Sequence, residues 1–91
     1  MQGLLRVSRT DIPSGGAALR VYAADFEVFG APVQRLAVER TTERSGGAVA
    51  AAVHQEAARH LETLGWRAVA QTTPVVCARH EVVFAYVMDA L

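Results

Sequence analysis

The chain contains no lysine, and cysteine and tryptophan occur once each, as Cys77 and Trp66. All nine basic side chains are arginines, at positions 6, 9, 20, 35, 40, 44, 59, 67 and 79. An arginine-only set suits bidentate recognition of phosphate or carboxylate. It also follows from coding bias in a GC-rich genome, which accounts for the abundant Ala, Gly and Val as well. No window holds a basic run, and the formal net charge is zero. Nucleic-acid binders concentrate positive charge on one surface, so that class is disfavoured. A lone cysteine excludes a disulfide within the chain and fits a reducing cytoplasm. The longest strongly apolar run, Val82 to Met88, is far too short to span a bilayer, and "MQGLLRVSR" lacks a signal-like apolar segment. Phosphate-loop, dinucleotide-fold and nucleophile-elbow glycine motifs are all absent. These absences predict a cytoplasmic protein with no membrane contact and no nucleic-acid partner.

What is present is apolar. Hydrophobic residues make up 52% of the 91 residues and charged residues only 20%. A chain of this length forms one domain with a thin core. Its surplus apolar surface is most simply placed in a subunit interface, which predicts a homo-oligomer.

Residues 1–16 read as a leader or short edge strand, Leu4 to Val7, followed by a loop at "DIPSGG". Residues 17–29 are rich in strand formers. Leu19, Val21 and Ala23 carry the apolar set at first, then Phe26 and Val28 do. That phase slip predicts a β-bulge near Ala24-Asp25. After a turn at "FGAP", "VQRLAVERT" supplies the second strand of a hairpin. Residues 45–64 predict a helix, capped by Thr42 or Ser45 and frayed at its start by Gly46 and Gly47. Val49, Val53, Ala57, Leu61 and Leu64 form its apolar stripe, and Gly65 occupies the left-handed cap position. "WRAVAQTTPVVC" predicts a third strand, with Pro74 at an edge or bend. "EVVFAYVMD" predicts a fourth, with Val82, Phe84, Tyr86 and Met88 on one face and Val83, Ala85 and Val87 on the other. Both faces of this strand are apolar, so both need cover. One helix covers one face, and a second copy of the chain is expected to cover the other. The expected fold is α+β: a small antiparallel sheet with one long helix packed on one face, in β-β-α-β-β order.

Several residues could carry chemistry. Trp66, directly after Gly65, is placed to pack back on Leu61 and Leu64 and seal the helix end; alternatively, it is a platform for a planar ligand. His60 falls within the predicted apolar stripe with Glu56 one turn earlier. The two form either an acid–base pair or a buried polar pair that satisfies itself. Cys77 and His80 have C-x-x-H spacing and, with Glu56 and His60, complete a possible zinc set. Zinc sites usually show two close Cys/His pairs and this chain shows one, so no metal and no other cofactor are expected. Cys77 is more simply a small buried hydrophobe.

The order strand, helix, tryptophan and hairpin over residues 32–91 resembles in layout the small flavin-storing dodecins. The strand at 17–29 has no counterpart there, and Glu81 to Val83 stand on the strand that carries the family's flavin-facing glutamine. The function expected from the sequence is a non-enzymatic assembly or binding module acting as a homo-oligomer. The alternative is an oligomer that binds a flavin- or nucleotide-like planar ligand, with Trp66 at a subunit junction. A third reading is an enzyme using Glu56 and His60.

Overall fold

The computed structural model describes residues 1–14, 17–41, 47–71, 76–77 and 80–90. The fold is α+β, with one helix on one face of an antiparallel sheet. The strands are β1 (Gln2–Ser14), β2 (Ala17–Val28), β3 (Gln34–Thr41), β4 (Trp66–Gln71), β5 (Val76–Cys77) and β6 (His80–Ala90), and α1 (Gly47–Thr63) follows β3. Their spatial order is β3-β2-β1-β6-β4, with β5 also paired to β6.

The first fourteen residues differ from the expected leader. β1 is the central strand, hydrogen-bonded to β2 from Gly3 to Ser14 and to β6 from Gln2 to Thr10. The β2–β3 hairpin matches the expectation, and its pairing slips between Ala24 and Asp25. The extra residue lies on the partner strand, however: Ala24 faces Ala37 and Asp25 faces Arg35, leaving Leu36 over. β2 keeps an unbroken register with β1. Leu19, Val21 and Ala23 therefore lie on one face of the sheet throughout, and Tyr22, Ala24, Phe26 and Val28 on the other. The apparent phase slip in the sequence is an exchange of apolar character between the two faces.

Residues opposite one another across strands share a face. Leu5 lies opposite Phe26 and Tyr86, and Val7 lies opposite Ala24 and Phe84. This is the helix side, where Leu5, Val7, Val53 and Leu61 are the largest fully buried side chains. Each contributes about 1.5–3 kcal/mol relative to an exposed side chain. The helix presents Ala50, Val53, Ala57 and Leu61 to this core. Two alanines in the contact let it lie close to the sheet. Val53, Ala57 and Leu61 of the expected stripe are thus in the core, Ala50 joins them, Val49 packs partly buried against it, and Leu64, past the last helical residue, is 61% exposed. Gly65 takes φ +88° at the expected cap. The positions proposed for the N-cap, Thr42 and Ser45, and the bend at Pro74 lie outside the described residues.

Gly3 is required by packing. A Cβ there would lie 2.6 Å from Phe26 Cζ and 3.1 Å from the carbonyl oxygen of Glu27. The missing side chain lets the Phe26 ring lie across β1. Trp66 then meets Phe26 edge-on, with ring centroids 4.8 Å apart and planes at 73°.

The helix is about 25 Å long at about 1.5 Å per residue, whereas β1 is about 43 Å at about 3.3 Å per residue. It crosses the sheet from β3 to β4 and packs on the Leu5–Val7 part of the central strand. Beyond it the helix-side row becomes charged: Asp11 Oδ1 lies 3.2 Å from Arg9 Nε and 3.9 Å from Arg20 Nε. On the opposite face, Ser8, Ala23 and Ala85 are buried among their neighbours without joining the main core. A slip between β1 and β6 sets Val82 opposite Ser8 on this outer face, while Val83 packs against the core. This corrects the simple alternation expected of β6. No described helix is long and apolar enough to cross a membrane.

Candidate functional site

Two recesses flank the sheet at the end of the molecule where α1 stops and β4 starts. One, of about 250 Å³, lies on the helix side and is lined by His54, Ala58, Glu62, Trp66, Arg67, Ala68 and Met88. α1 supplies His54, Ala58 and Glu62 at i, i+4 and i+8, one flank of the helix. Gly65 turns the chain so that Trp66 and Ala68 of β4 form the facing wall. The floor is apolar, and Glu62 and Arg67 place opposite charges at its edge.

His54 is the histidine that meets the sheet. Its ring stacks on Tyr86 at 4.7 Å with planes 6° apart, and lies 5.7 Å from Phe84. Its Nδ1 is buried without a hydrogen-bond partner. Burial lowers its pKa below the ordinary histidine value of 6.5, because the charged ring would lose hydration with nothing to replace it. The consequence for stability has a definite sign. The unfolded chain takes up a proton as pH falls through about 6.5, whereas the folded chain resists it, so stability falls with acidification over that window. Urea midpoints should drop between pH 8 and pH 5.5, and His54→Phe should remove part of that drop. An unchanged pH dependence in the variant would rule out His54 as its source.

The residues singled out in the sequence fare differently. His60 and Glu56 are both exposed, which excludes a buried, self-satisfied pair. His60 lies about 120° around the helix from His54, at about 100° per residue. Among the described residues no hydrogen bond or ion pair joins it to Glu56; its carbonyl oxygen accepts a bond from Thr63 Oγ1 at 2.6 Å. Trp66 is half-buried, packed against the core through Phe26 rather than against the exposed Leu64. Cys77 and His80 are directly paired backbone positions of β5 and β6, but their side chains lie outside the described residues. Among the described residues no group of three or more metal-ligating side chains gathers. Sequence reasoning missed His54 because its partners, Phe84 and Tyr86, arrive from a strand thirty positions away; only its i, i+4 spacing from Ala58 hinted at a sheet-facing flank.

The second recess, of about 320 Å³, opens on the face without the helix and is lined by Gln2, Gly3, Leu4, Glu27, Phe29 and Val87. Around it the charges are paired within the chain. Arg6 Nη2 donates to Glu27 Oε2 at 3.0 Å, and Arg35 donates to both Asp25 oxygens at 3.0 and 3.4 Å. The hydrogen bond and charge of Asp25 raise the Arg35 pKa further above its usual value.

Comparison of the chain with protein-family models, with curated proteins and with solved structures finds no match. The strand preceding the helix lies at the outer edge of a β1–β2–β3 meander.

Proposed function

We propose that this protein is a non-enzymatic assembly and binding module that works as a homo-oligomer in the cytoplasm, using the helix-free face of its sheet as the contact. One observation carries the reading. Leu4, Leu19, Val21, Val38, Val82 and Val87 share a face on which no described element packs. These half-buried side chains form two apolar groups, Leu4 with Val87 and Leu19, Val21 and Val38 with Val82, on either side of the Arg6–Glu27 and Arg35–Asp25 pairs, and apolar patches rimmed by polar residues mark interaction surfaces. The exposure of Glu56 and His60, away from either recess, favours a binding role over an enzymatic one, and the lone Cys77 suits a reducing compartment.

The helix-side recess supports a second reading, in which the module holds a small molecule against Trp66. Its volume, about 250 Å³, is below the roughly 300–1,000 Å³ usual for drug-sized ligands. A single ring fits inside one chain, whereas a flavin-sized ligand needs walls from a second subunit.

Sedimentation velocity at tens of micromolar tests the first reading: the native chain should sediment above its monomer mass, and Val87→Glu should shift it to monomers. Val87 is the informative position because Val83 packs on the core side. A monomeric native protein sinks the proposal, and a purified protein that absorbs in the visible range brings the second reading forward.

A further inference from the structure

Small residues create the helix-side recess. Met88 of β6, only 2% exposed, lies in its floor, with Ala68 of β4 directly opposite in the ladder and Ala58 lining it from α1. Neither alanine reaches across the gap, so about 250 Å³ stays open beside the Trp66 ring. A cavity of about 150 Å³ already holds benzene, so this space takes one six-membered ring with a small substituent.

His54 brings a hydrogen-bonding group to this apolar space, and its orientation is fixed. Its ring lies flat on Tyr86, with planes 6° apart. Of its two nitrogens only Nδ1 is buried without a partner. Nε2, which makes no hydrogen bond to a described residue, is on the open side of the ring. Burial lowers the His54 pKa below 6.5, so the ring is neutral at pH 7. Nδ1 has no acceptor for an N–H, so the single proton sits on Nε2. Glu62 and Arg67, at the edge, are both exposed and opposite in charge. No net charge at the recess therefore selects an anion or a cation.

We propose that the recess binds a small uncharged aromatic ring bearing an oxygen acceptor, phenol being the simplest, with that oxygen accepting a hydrogen bond from His54 Nε2. This rests on the second reading above, in which the module holds a small molecule against Trp66, and names the ligand's chemistry. The Trp66 ring and the Met88 thioether both favour an aromatic ring over an aliphatic one of the same size. The oxygen is what the donor requires, because a ligand without an acceptor would bury the Nε2 proton unpaired.

Phenol and toluene, which match in size and differ in the acceptor, are the probes. Each is titrated into the full chain while the indole N–H resonance of Trp66, the only tryptophan, is followed by NMR. Both should shift it saturably at low millimolar concentration. His54→Phe keeps a flat ring for Tyr86 and removes the donor. The preference for phenol over toluene should fall about 3- to 10-fold in that variant, the usual worth of one hydrogen bond. In the unaltered chain the His54 ring signals should move with phenol more than with toluene. Ala68→Leu, at an exposed wall position, should fill the recess and abolish the binding of both probes while the urea midpoint is kept. N-acetyltyrosinamide separates the two sources of such a ring: weaker binding than phenol assigns the recess to a free molecule, and tighter binding replaces that molecule by a tyrosine of a partner protein. A preference unchanged in His54→Phe, or, should that variant not fold, His54 signals that phenol leaves unmoved, overturns the hydrogen bond and leaves the ring-binding reading standing. Absence of any Trp66 shift with either probe overturns both. Binding that survives Ala68→Leu places the site elsewhere and overturns the proposal as well.

Discussion

Removing residues 1–14 should abolish cooperative folding altogether. Among the described strands, β1 alone joins the β3–β2 half of the sheet to the β6–β4 half. Its loss frees the backbone groups of β2 and β6 that faced it and removes Leu5 and Val7, both fully buried. Deleting one large buried aliphatic side chain costs about 2–5 kcal/mol. Two of them, before any ladder bonds are counted, approach the about 5–15 kcal/mol that holds a typical domain together. The truncated chain should show no sigmoidal urea transition by circular dichroism and no near-ultraviolet signal from Trp66. Were these residues a peripheral leader, the midpoint would move by only about 0.5 kcal/mol, as for surface changes. A truncated chain that still unfolds cooperatively would mean that β1 is not the central strand.

The misreading of that segment has a physical cause. A strand covered on both sides announces itself as a continuous apolar run. β1 is central in the sheet, and among the described elements the helix covers it on one side, at Leu5 and Val7. Its helix-side row runs Leu5, Val7, Arg9, Asp11, becoming charged where α1 no longer reaches. Its outer row mixes Leu4 and Ile12 with Arg6, Ser8 and Thr10. Only Leu4 to Val7 look strand-like in isolation, so the polar half passes for a loop. The helix, by contrast, was legible from its periodicity, and Gly65 from its position. Most of the helix's buried stripe was legible too: Val53, Ala57 and Leu61 lie in the core, Ala50 joins them, Val49 packs against it, and Leu64 falls past the helical end. The flanks were not: Glu56 and His60 are exposed, and His54 meets Tyr86. The irregularity at Ala24-Asp25 was correctly located, yet the extra residue belongs to β3. A period-2 pattern reports which face is apolar, not which strand carries the additional residue.

Trp66→Ala should cost about 3 kcal/mol, the lower end of the about 3–5 kcal/mol range for deleting a large buried aromatic. Two features set that magnitude. The ring is only half-buried, which reduces the transfer contribution. Its edge-on contact with Phe26 at 4.8 Å adds about 0.5–1.5 kcal/mol beyond area. The loss also spreads inward, because Phe26 fits across Gly3 with no room for a Cβ. Without Trp66 the Phe26 ring keeps its contact with β1 on one side and faces an open recess on the other. Trp66→Phe should recover a substantial part of the loss, since a smaller ring can still present itself to Phe26. If Trp66 were instead a platform held out for a ligand, Trp66→Ala would leave stability within about 0.5 kcal/mol and abolish binding. The half-buried ring permits both roles on different faces, so the two measurements belong together. A urea titration reads the face against Phe26, and quenching of tryptophan emission by small aromatic ligands reads the face toward His54 and Arg67. A stability loss near 3 kcal/mol without quenching assigns Trp66 to the core alone. Quenching without a stability loss would contradict the packing described here.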